Sequence, residues 1–201
     1  MHSFFASLFV VLTGTVFLWQ ATDGLQALTA EGARRVAVVQ KRLVIPASKL
    51  ETMSGRTVDL RPEAGKVALI EFIYTTCPFI CQVAGTDLAR VRNLVVKQGL
   101  ADHVQIYSIS FDWRNDRREE LAQYGETHGA DGKVWTVARP PHKNLSNLLK
   151  AFRVVVIPND YGGYEHNAAI HIVNQDARLV GIVDIDDVSG AVAAAKKALR
   201  P

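Results

Sequence analysis

The sequence predicts an α/β fold with helices on both faces of a sheet. Apolar stretches of strand length alternate with helix-like stretches across residues 65–152, a pattern typical of strands joined by helices. Two further strand-like stretches, at 168–174 and 179–185, follow with only a short turn between them. This spacing indicates a hairpin that closes the sheet.

The elements follow one another along residues 43–199. The first, at 43–60, is read as a strand and hairpin that turns at Ser54 and Gly55. Residues 65–74 (GKVALIEFIY) show little polar alternation, as expected of a central strand covered on both faces. Residues 85–100 have apolar side chains at helical spacing and end at a glycine. The remaining elements are a strand at 104–111, a loop and helix at 112–129, a strand at 134–138, a helix at 142–152, the hairpin, and a helix at 187–199. This order suits a thioredoxin-like fold with an N-terminal β-hairpin extension.

The N-terminal segment has a different character. Residues 3–22 contain no charged side chain, and about 20 apolar residues span a bilayer as a helix. Residues 1–22 are therefore predicted to be a membrane-spanning anchor. A cleaved signal segment is the alternative, although a clean cleavage site and a positively charged start are missing; a core helix is a third reading. Residues 23–42 are predicted to be a linker and 43–201 the folded domain.

Composition argues against one class of partner. The formal net charge is +3, and basic residues are scattered among acidic ones. No basic stripe with interleaved aromatic residues is present, so no nucleic-acid partner is expected.

The only two cysteines, Cys77 and Cys81, follow the strand predicted at 65–74. Pro78 favours a helix start at this point, which places Cys77 where the helix dipole stabilises a thiolate. Cys81 falls one turn later on the same face. Three uses remain open: a structural or exchanging disulfide, chelation of a metal, or two small buried apolar side chains.

A metal would need a further ligand, and the chain has six histidines. His171 lies inside a predicted strand and is interpreted as a sheet residue. His166 follows the turn-rich segment 159–165 and enters a strand. In a thioredoxin-like arrangement the preceding loop passes beside the cysteine helix, so His166 is a candidate ligand. Three histidines have polar, loop-like neighbours and are predicted to face solvent: His103, His128 and His142.

Three motifs resemble those of the Sco/SenC copper-chaperone family, in the same order along residues 43–199. FIYTTCPFICQ (72–82) is similar to the family pattern F-x-Y-T-x-C-P-x-x-C-P. SISFDWRND (108–116) resembles S-x-D-P-x-R-D, and EHNAAIHIVNQDARLVG (165–181) resembles D-H-(S/T)-x-x-x-Y-L-x-x-x-D-G. A single N-terminal membrane span is also usual in the family. The chain departs from the patterns at Gln82, Trp113, Glu165 and Asn167.

The resemblance implies a copper site. Cys77 and Cys81 match the family's thiolate ligands, and His166 matches its imidazole ligand. Two soft thiolates and an imidazole suit copper, as Cu(I) or Cu(II). Asp112 matches an acidic position near the site, where it would orient His166 or face a partner. Asp116 has a local interpretation: Asp116-Arg117-Arg118-Glu119 fits a capping box, which predicts that Asp116 starts a helix.

The implied function is a metallochaperone that loads copper into the binuclear copper site of a respiratory cytochrome c oxidase, or reduces the thiols of that site. The implied partners are the copper-binding subunit of the oxidase, other copper chaperones and thioredoxin-like reductants. The soluble domain is expected in the periplasm or the mitochondrial intermembrane space, anchored to a membrane, with a bacterial inner membrane favoured.

A thiol–disulfide oxidoreductase or redox sensor of the same fold is the alternative function. It would cycle Cys77 and Cys81 without requiring His166. A peroxidase of the peroxiredoxin type fits less well, because its T-x-x-C spacing is not met: Thr75 and Thr76 stand two residues and one residue before Cys77.

Overall fold

The computed structural model describes residues 2–25, 27–63, 65–77 and 80–200, with the backbone alone at 2–4 and 80–82. The chain forms two compact units, Met1–Lys41 and Arg42–Pro201. The first unit contains helices α1 (His2–Ala21) and α2 (Ala30–Lys41). Within the described residues, none of the helices combines the length and the hydropathy required of a transmembrane span. The division into anchor, linker and domain stays a prediction.

The second unit is built on a seven-stranded mixed sheet with the strand order β2-β1-β5-β4-β3-β8-β9. Strands β6 and β7 form a separate two-stranded ribbon. In chain order the elements are β1 (Lys49–Thr52), β2 (Thr57–Asp59), β3 (Val67–Ile73), α3 (Ile80–Lys97), β4 (Val104–Ser110), α4 (Arg118–His128), β5 (Trp135–Arg139), α5 (His142–Phe152), β6 (Val156–Pro158), β7 (Tyr164–His166), β8 (Ile170–Val173), β9 (Leu179–Val183) and α6 (Val188–Ala198).

Strand β3 lies in the interior of this sheet, next to the middle strand β4, and all seven of its residues are buried. It pairs in parallel with β4, from Val67 opposite Val104 to Ile73 opposite Ser110. It pairs antiparallel with β8 on its other edge. Because the paired parallel strands end side by side, the residues that follow them, Tyr74 and Phe111, leave the sheet at the same edge.

Helices cover this central region. Helix α6 packs against β3, β8 and β9, whereas α4 packs against β5 and β1. Helix α3 contacts both α6 and α4. The segment that links β3 to α3 therefore emerges from the best-covered part of the sheet, and this segment contains Cys77.

The predicted α/β order is confirmed, with every predicted strand of the large sheet present within a few residues. The predicted N-terminal hairpin is also confirmed, since β1 and β2 pair antiparallel. Sequence reasoning missed the ribbon of β6 and β7. Each of these strands has only three residues, which is too short to show a two-residue alternation, and β6 ends in a proline.

The prediction that His128 faces solvent is wrong. His128 is half-buried at the end of α4, and its Nε2 atom is shielded from solvent and has no hydrogen-bond partner among the described residues. Its ring lies over Gly85 of α3, so that a Cβ atom at that glycine would stand 2.6 Å from the ring Cγ atom. Burial lowers the pKa of His128. The absence of a side chain at Gly85 is what allows this close contact.

We expect Gly85→Ala to destabilise the protein by about 1–3 kcal/mol, because the new methyl group overlaps a rigid ring in a packed site. In a His128→Ala background the same substitution should instead stabilise by about 0.5–1 kcal/mol, because alanine is the better helix former. Urea denaturation of the wild type, Gly85→Ala, His128→Ala and the double variant measures both changes in the free energy of unfolding. The same sign in both backgrounds would contradict the packing described.

Candidate metal centre

Three aromatic side chains meet at the edge where β3 and β4 end. Tyr74 follows β3, Phe111 follows β4 and Tyr164 begins β7. Their ring centroids are 5.5 Å apart for Tyr74 and Phe111, 5.2 Å for Tyr74 and Tyr164, and 5.5 Å for Phe111 and Tyr164. Edge-to-face packing at such separations stabilises aromatic groups beyond simple burial. This aromatic cluster forms the floor of the candidate site.

His166 lies against this cluster. Its ring centroid is 5.1 Å from that of Phe111 and 6.4 Å from that of Tyr74. Both ring nitrogens are shielded from solvent, and neither has a hydrogen-bond partner among the described residues. Burial lowers the pKa of His166 to about 4, so the ring is neutral at physiological pH. A buried polar group without a partner is uncommon and calls for a functional explanation, and a neutral imidazole is the form that binds a metal.

Cys77 follows Tyr74 of this cluster by three residues. It is 3% exposed, and its backbone N–H donates to the carbonyl oxygen of Tyr74 at 3.3 Å. Tyr74 therefore packs near His166 through its ring and is hydrogen-bonded to Cys77 through its backbone. The convergence of the Cys77 thiol and the His166 ring on one metal stays a prediction.

The other predicted ligand, Cys81, has its backbone in the first turn of α3, but its side chain lies outside the described residues, as does Pro78. In the part of the chain whose side chains are described, no group of three or more His, Cys, Asp and Glu residues is placed to hold a metal. The ligand set of Cys77, Cys81 and His166 stays a prediction.

His171 is a buried residue of β8 with Nδ1 3.2 Å from the carbonyl oxygen of Ile70, consistent with its interpretation as a sheet residue.

The ribbon that carries His166 is held at both ends. At the turn, Asn159 Oδ1 accepts hydrogen bonds from the backbone N–H groups of Tyr161 and Gly163. The Tyr74 hydroxyl donates to the carbonyl oxygen of Tyr164 at 3.3 Å, and a Cβ atom at Gly163 would stand 3.0 Å from that hydroxyl. These contacts fix β7 over the aromatic cluster.

Asn167 holds the other end of the ribbon. Its Nδ2 atom donates to the carbonyl oxygen of Arg153 at 3.0 Å, and its Oδ1 atom accepts from the N–H group of Val155 at 2.8 Å. The residue directly after His166 is thereby tied to the segment that leaves α5. From the sequence, Asn167 was identified only as a departure from the family motif. Its position directly after His166 is the feature that could have indicated its role in holding the ribbon.

Asp112 is buried, at 2% exposure, but it makes no hydrogen bond to His166, whose ring nitrogens have no partner in the described part of the chain. Its carboxylate accepts from Asn115 Nδ2 at 2.7 Å, which closes the turn after β4. Burial, together with the nearby Asp112 carboxylate, raises the pKa of Tyr164. Asp112 therefore closes the turn after β4 and raises the pKa of Tyr164. It makes no direct hydrogen bond to the histidine.

The prediction that Asp116 starts a helix is wrong. The N-cap of α4 is Arg117, whose backbone N–H donates to Glu120 at 2.9 Å. Asp116 is instead completely buried and accepts three hydrogen bonds, from the Thr75 backbone at 2.8 Å, the Thr75 hydroxyl at 2.6 Å and the Ser110 hydroxyl at 2.6 Å. Burial raises the pKa of Asp116, and the bonds from Ser110 and Thr75 oppose the rise.

The contacts of Asp116 join the segment before Cys77 to the end of β4. The local pattern at Asp116–Glu119 favoured a helix start at Asp116. Such a pattern gives no information on whether the Asp116 side chain is buried. The signal that could have identified its role is the match of Asp116 to the final aspartate of the motif at 108–116.

Glu71 is a further residue that sequence reasoning missed. It lies in β3 at 1% exposure, and the Ser108 hydroxyl donates to its carboxyl group across 3.4 Å. Burial, together with the nearby Cys77 and Asp87 and partly opposed by the Ser108 hydrogen bond, raises the pKa of Glu71 to about 8. The central strand therefore holds a protonated carboxyl group near the first cysteine at neutral pH.

Comparison with protein families identifies the family of this chain. Residues 39–199 match the SCO1/SenC family model. The SCO1 protein homolog of Bacillus subtilis (strain 168) is 22% identical over 133 residues, which cover 65% of this chain and 68% of that protein.

Solved structures of Sco proteins have a similar fold. ScoI of Bradyrhizobium japonicum, solved with copper bound, superimposes with a TM-score of 0.64 at 22% identity, covering 77% of this chain and 99% of that chain. BsSco, described with a disulfide switch and as a member of the Sco family of cytochrome c oxidase assembly proteins, gives a TM-score of 0.69 at 18% identity, with 79% and 94% covered. These likenesses establish the thioredoxin-like α/β fold of the Sco proteins for this chain.

The raised pKa of Glu71 predicts a specific pH dependence of stability. Between its ordinary pKa of 4.5 and about 8, the folded state holds a proton that the unfolded state has lost. The free energy of unfolding should therefore fall as pH rises through this range, by up to about 1.4 kcal/mol per pH unit. Glu71→Gln removes this contribution, so the variant should show a shallower fall and higher stability near pH 7.

Urea denaturation at several pH values between about 5 and about 7.5 measures this dependence. Glu63→Gln is the matched control, since Glu63 is 69% exposed and its loss should leave the slope as it is in the wild type. An unchanged slope in Glu71→Gln would show that Glu71 is ionised in the folded protein.

Proposed function

The chain belongs to the SCO1/SenC family, and from this premise we propose that it is a copper metallochaperone. It binds copper through Cys77, Cys81 and His166 and helps to load the binuclear copper site of a respiratory cytochrome c oxidase. The observation that carries the proposal is the neutral, half-buried His166 ring. Its two nitrogens are shielded from solvent and have no hydrogen-bond partner among the described residues, and it packs near Tyr74, whose carbonyl oxygen accepts from the Cys77 backbone.

The chemistry of the donors supports copper. Thiolates are soft ligands that favour Cu(I), and imidazole binds copper in either oxidation state. The buried His166 ring has no proton to lose before it binds, because its pKa is well below neutral. The copper-bound ScoI structure supports the same cargo for this family member.

Three ligands leave an open coordination position, into which a thiolate or imidazole of the recipient protein can enter. Ligand exchange then moves copper without a free ion as an intermediate. Exchange with an external disulfide would oxidise Cys77 and Cys81 to a disulfide, while the two electrons and two protons pass to the external disulfide and leave it as two thiols. This step would abolish both thiolate ligands together. Redox state and copper affinity are coupled in this way.

The proposed recipient is the copper-binding subunit of the oxidase, and the description of BsSco as a cytochrome c oxidase assembly protein supports this partner. Other copper chaperones would supply the metal, and thioredoxin-like reductants would return the disulfide to two thiols. Residues 1–22 are proposed to anchor or target the chain, which places the domain in the periplasm or the intermembrane space. The charge-free run at 3–22 supports this location.

A thiol–disulfide oxidoreductase is the second candidate function. It is favoured by one specific observation, the protonated Glu71 carboxyl group near Cys77, which offers a proton close to a thiol pair. The disulfide switch described for BsSco fits either function. The two candidates differ in whether His166 is required.

We expect the reduced protein to bind one copper ion per chain when it is titrated with Cu(I) against a chromophoric chelator. Cys77→Ser, Cys81→Ser and His166→Ala should each weaken binding by at least about a hundredfold, since loss of a ligand exceeds the roughly 10–100-fold effect of residues that only support ligands. His103→Ala is the matched control, because this exposed histidine lies outside the site and should leave copper affinity unchanged.

Exchange of the thiol pair with a glutathione buffer, measured on the same variants, separates the two functions. Loss of copper affinity with retained exchange in His166→Ala supports the metallochaperone. Undiminished copper affinity in that variant would contradict the ligand assignment. A wild-type protein that exchanges thiols but binds no copper would leave only the oxidoreductase.

We expect the full-length chain to remain with carbonate-washed membranes when it is expressed in a bacterium, and a variant lacking residues 1–22 to be released. The physical reason is the run of apolar, uncharged side chains at 3–22, which partitions into hydrocarbon. A measured intact mass that lacks the N-terminal segment would identify a cleaved signal, which is the other outcome. A full-length chain in the soluble fraction would contradict both the anchor and the signal role.

A further inference from the structure

A cleft separate from the predicted ligands opens beside the loop that follows β4. Its volume is about 500 Å³, and its walls come from the loop at 113–117, the start of α4 and the ends of β1 and β5. Its lining includes four arginines and two glutamates, namely Arg114, Arg117, Arg118 and Arg139 with Glu51 and Glu119. The cleft therefore has an excess of positive charge, although the whole chain is only mildly basic.

The ion pairs within the cleft show which arginines remain available. Arg139 pairs with Glu51 at 2.8 Å and Arg118 with Glu119 at 3.2 Å. Both carboxylates of the cleft are thus already engaged. Arg114 and Arg117 are exposed and form no ion pair with any carboxylate in the described part of the chain. Two guanidinium groups, each able to hold a carboxylate with two parallel hydrogen bonds, therefore face solvent.

Trp113 adds an aromatic surface between these charges. It is 41% exposed, the Arg114 guanidinium lies 5.2 Å from its ring centroid, and its other neighbour is the His142 ring at 4.0 Å. Exposed tryptophan and arginine side chains are the residues most enriched where proteins recognise one another. An open cleft with spread guanidinium groups and an aromatic wall fits an extended segment better than a small ion.

The cleft adjoins the candidate metal centre. Trp113 follows Asp112 and Phe111 directly in the chain, and the Phe111 ring contacts His166. Arg114 is also close enough to Tyr164 of the aromatic cluster to influence its pKa. A partner bound in the cleft would consequently be held close to the aromatic cluster on which His166 packs.

We propose that this arginine cleft docks a carboxylate-rich segment of a partner protein, with two carboxylates held by Arg114 and Arg117 and an apolar or aromatic side chain on Trp113. The identification of that partner as the copper recipient rests on the proposed function. The docking itself depends only on the charges and the aromatic surface of the cleft.

The test uses the full chain and a fluorescein-labelled peptide, Glu-Asp-Phe-Asp-Glu, with binding followed by fluorescence anisotropy. We expect saturable binding that weakens as salt is added, because exposed charges are screened. Arg114→Gln together with Arg117→Gln should weaken binding about tenfold or more, and Trp113→Ala should weaken it to a smaller extent. Lys196→Gln together with Lys197→Gln, which removes the same charge from the exposed end of α6, should leave binding as it is in the wild type.

Several results would overturn the proposal. These are no binding by the wild-type chain, equal loss in the two double variants, or equal binding of the uncharged peptide Gln-Asn-Phe-Asn-Gln. Saturable displacement by inorganic phosphate at matched ionic strength would instead identify a small-anion site. The Cu(I) affinity of the Arg114→Gln, Arg117→Gln variant should match that of the wild type. A failure of copper binding can therefore be distinguished from a failure of docking.

Discussion

The hydrogen bonds of Asp116 are the contacts on which both functional regions depend. Its buried carboxylate accepts from Thr75, in the segment that leads to Cys77, and from Ser110 at the end of β4. Its carbonyl oxygen accepts from Arg139 of the arginine cleft at 2.9 Å. A buried carboxyl group that lost these donors would be strongly destabilising. One residue thus joins the approach to the candidate metal centre to the wall of the cleft.

The candidate metal centre is assembled from neighbouring strand ends rather than from neighbouring positions in the chain. Parallel pairing of β3 and β4 sets Tyr74 beside Phe111, and the ribbon of β6 and β7 brings Tyr164 and His166 onto them. Among the residues whose side chains are described, the rings of Phe111 and Tyr74 pack near the histidine and neither ring nitrogen of His166 has a hydrogen-bond partner. Within this part of the structure His166 is therefore neutral and free to bind, which is the state a metal ligand requires.

Much of the fold was predictable because the large sheet has strong local signals. Strand β3 is apolar over its length, and α3, α5 and α6 show helical spacing. The ribbon could not be predicted, because strands of three residues have no readable period. Motifs in the sequence identify Cys77, Cys81 and His166 as candidate ligands, and their role stays a prediction. The roles of Asp116, Glu71 and His128 were not, because a titratable side chain in the sequence does not reveal whether tertiary packing buries it. Asp116 shows this most clearly, since a local capping pattern competed with two long-range hydrogen bonds from Thr75 and one from Ser110.

The metal centre and the cleft have opposite physical characters, and a carrier of metal needs both. A buried site with neutral, aromatic walls can hold an ion tightly, but it produces little electric field outside the protein. It therefore contributes little to attracting or orienting a recipient. Exposed guanidinium groups act over distances of about a Debye length and can orient a partner before contact. Because Asp116 and the short loop from Phe111 to Arg117 connect the two regions, a recipient held by the arginines would be bound next to the aromatic cluster that packs on His166.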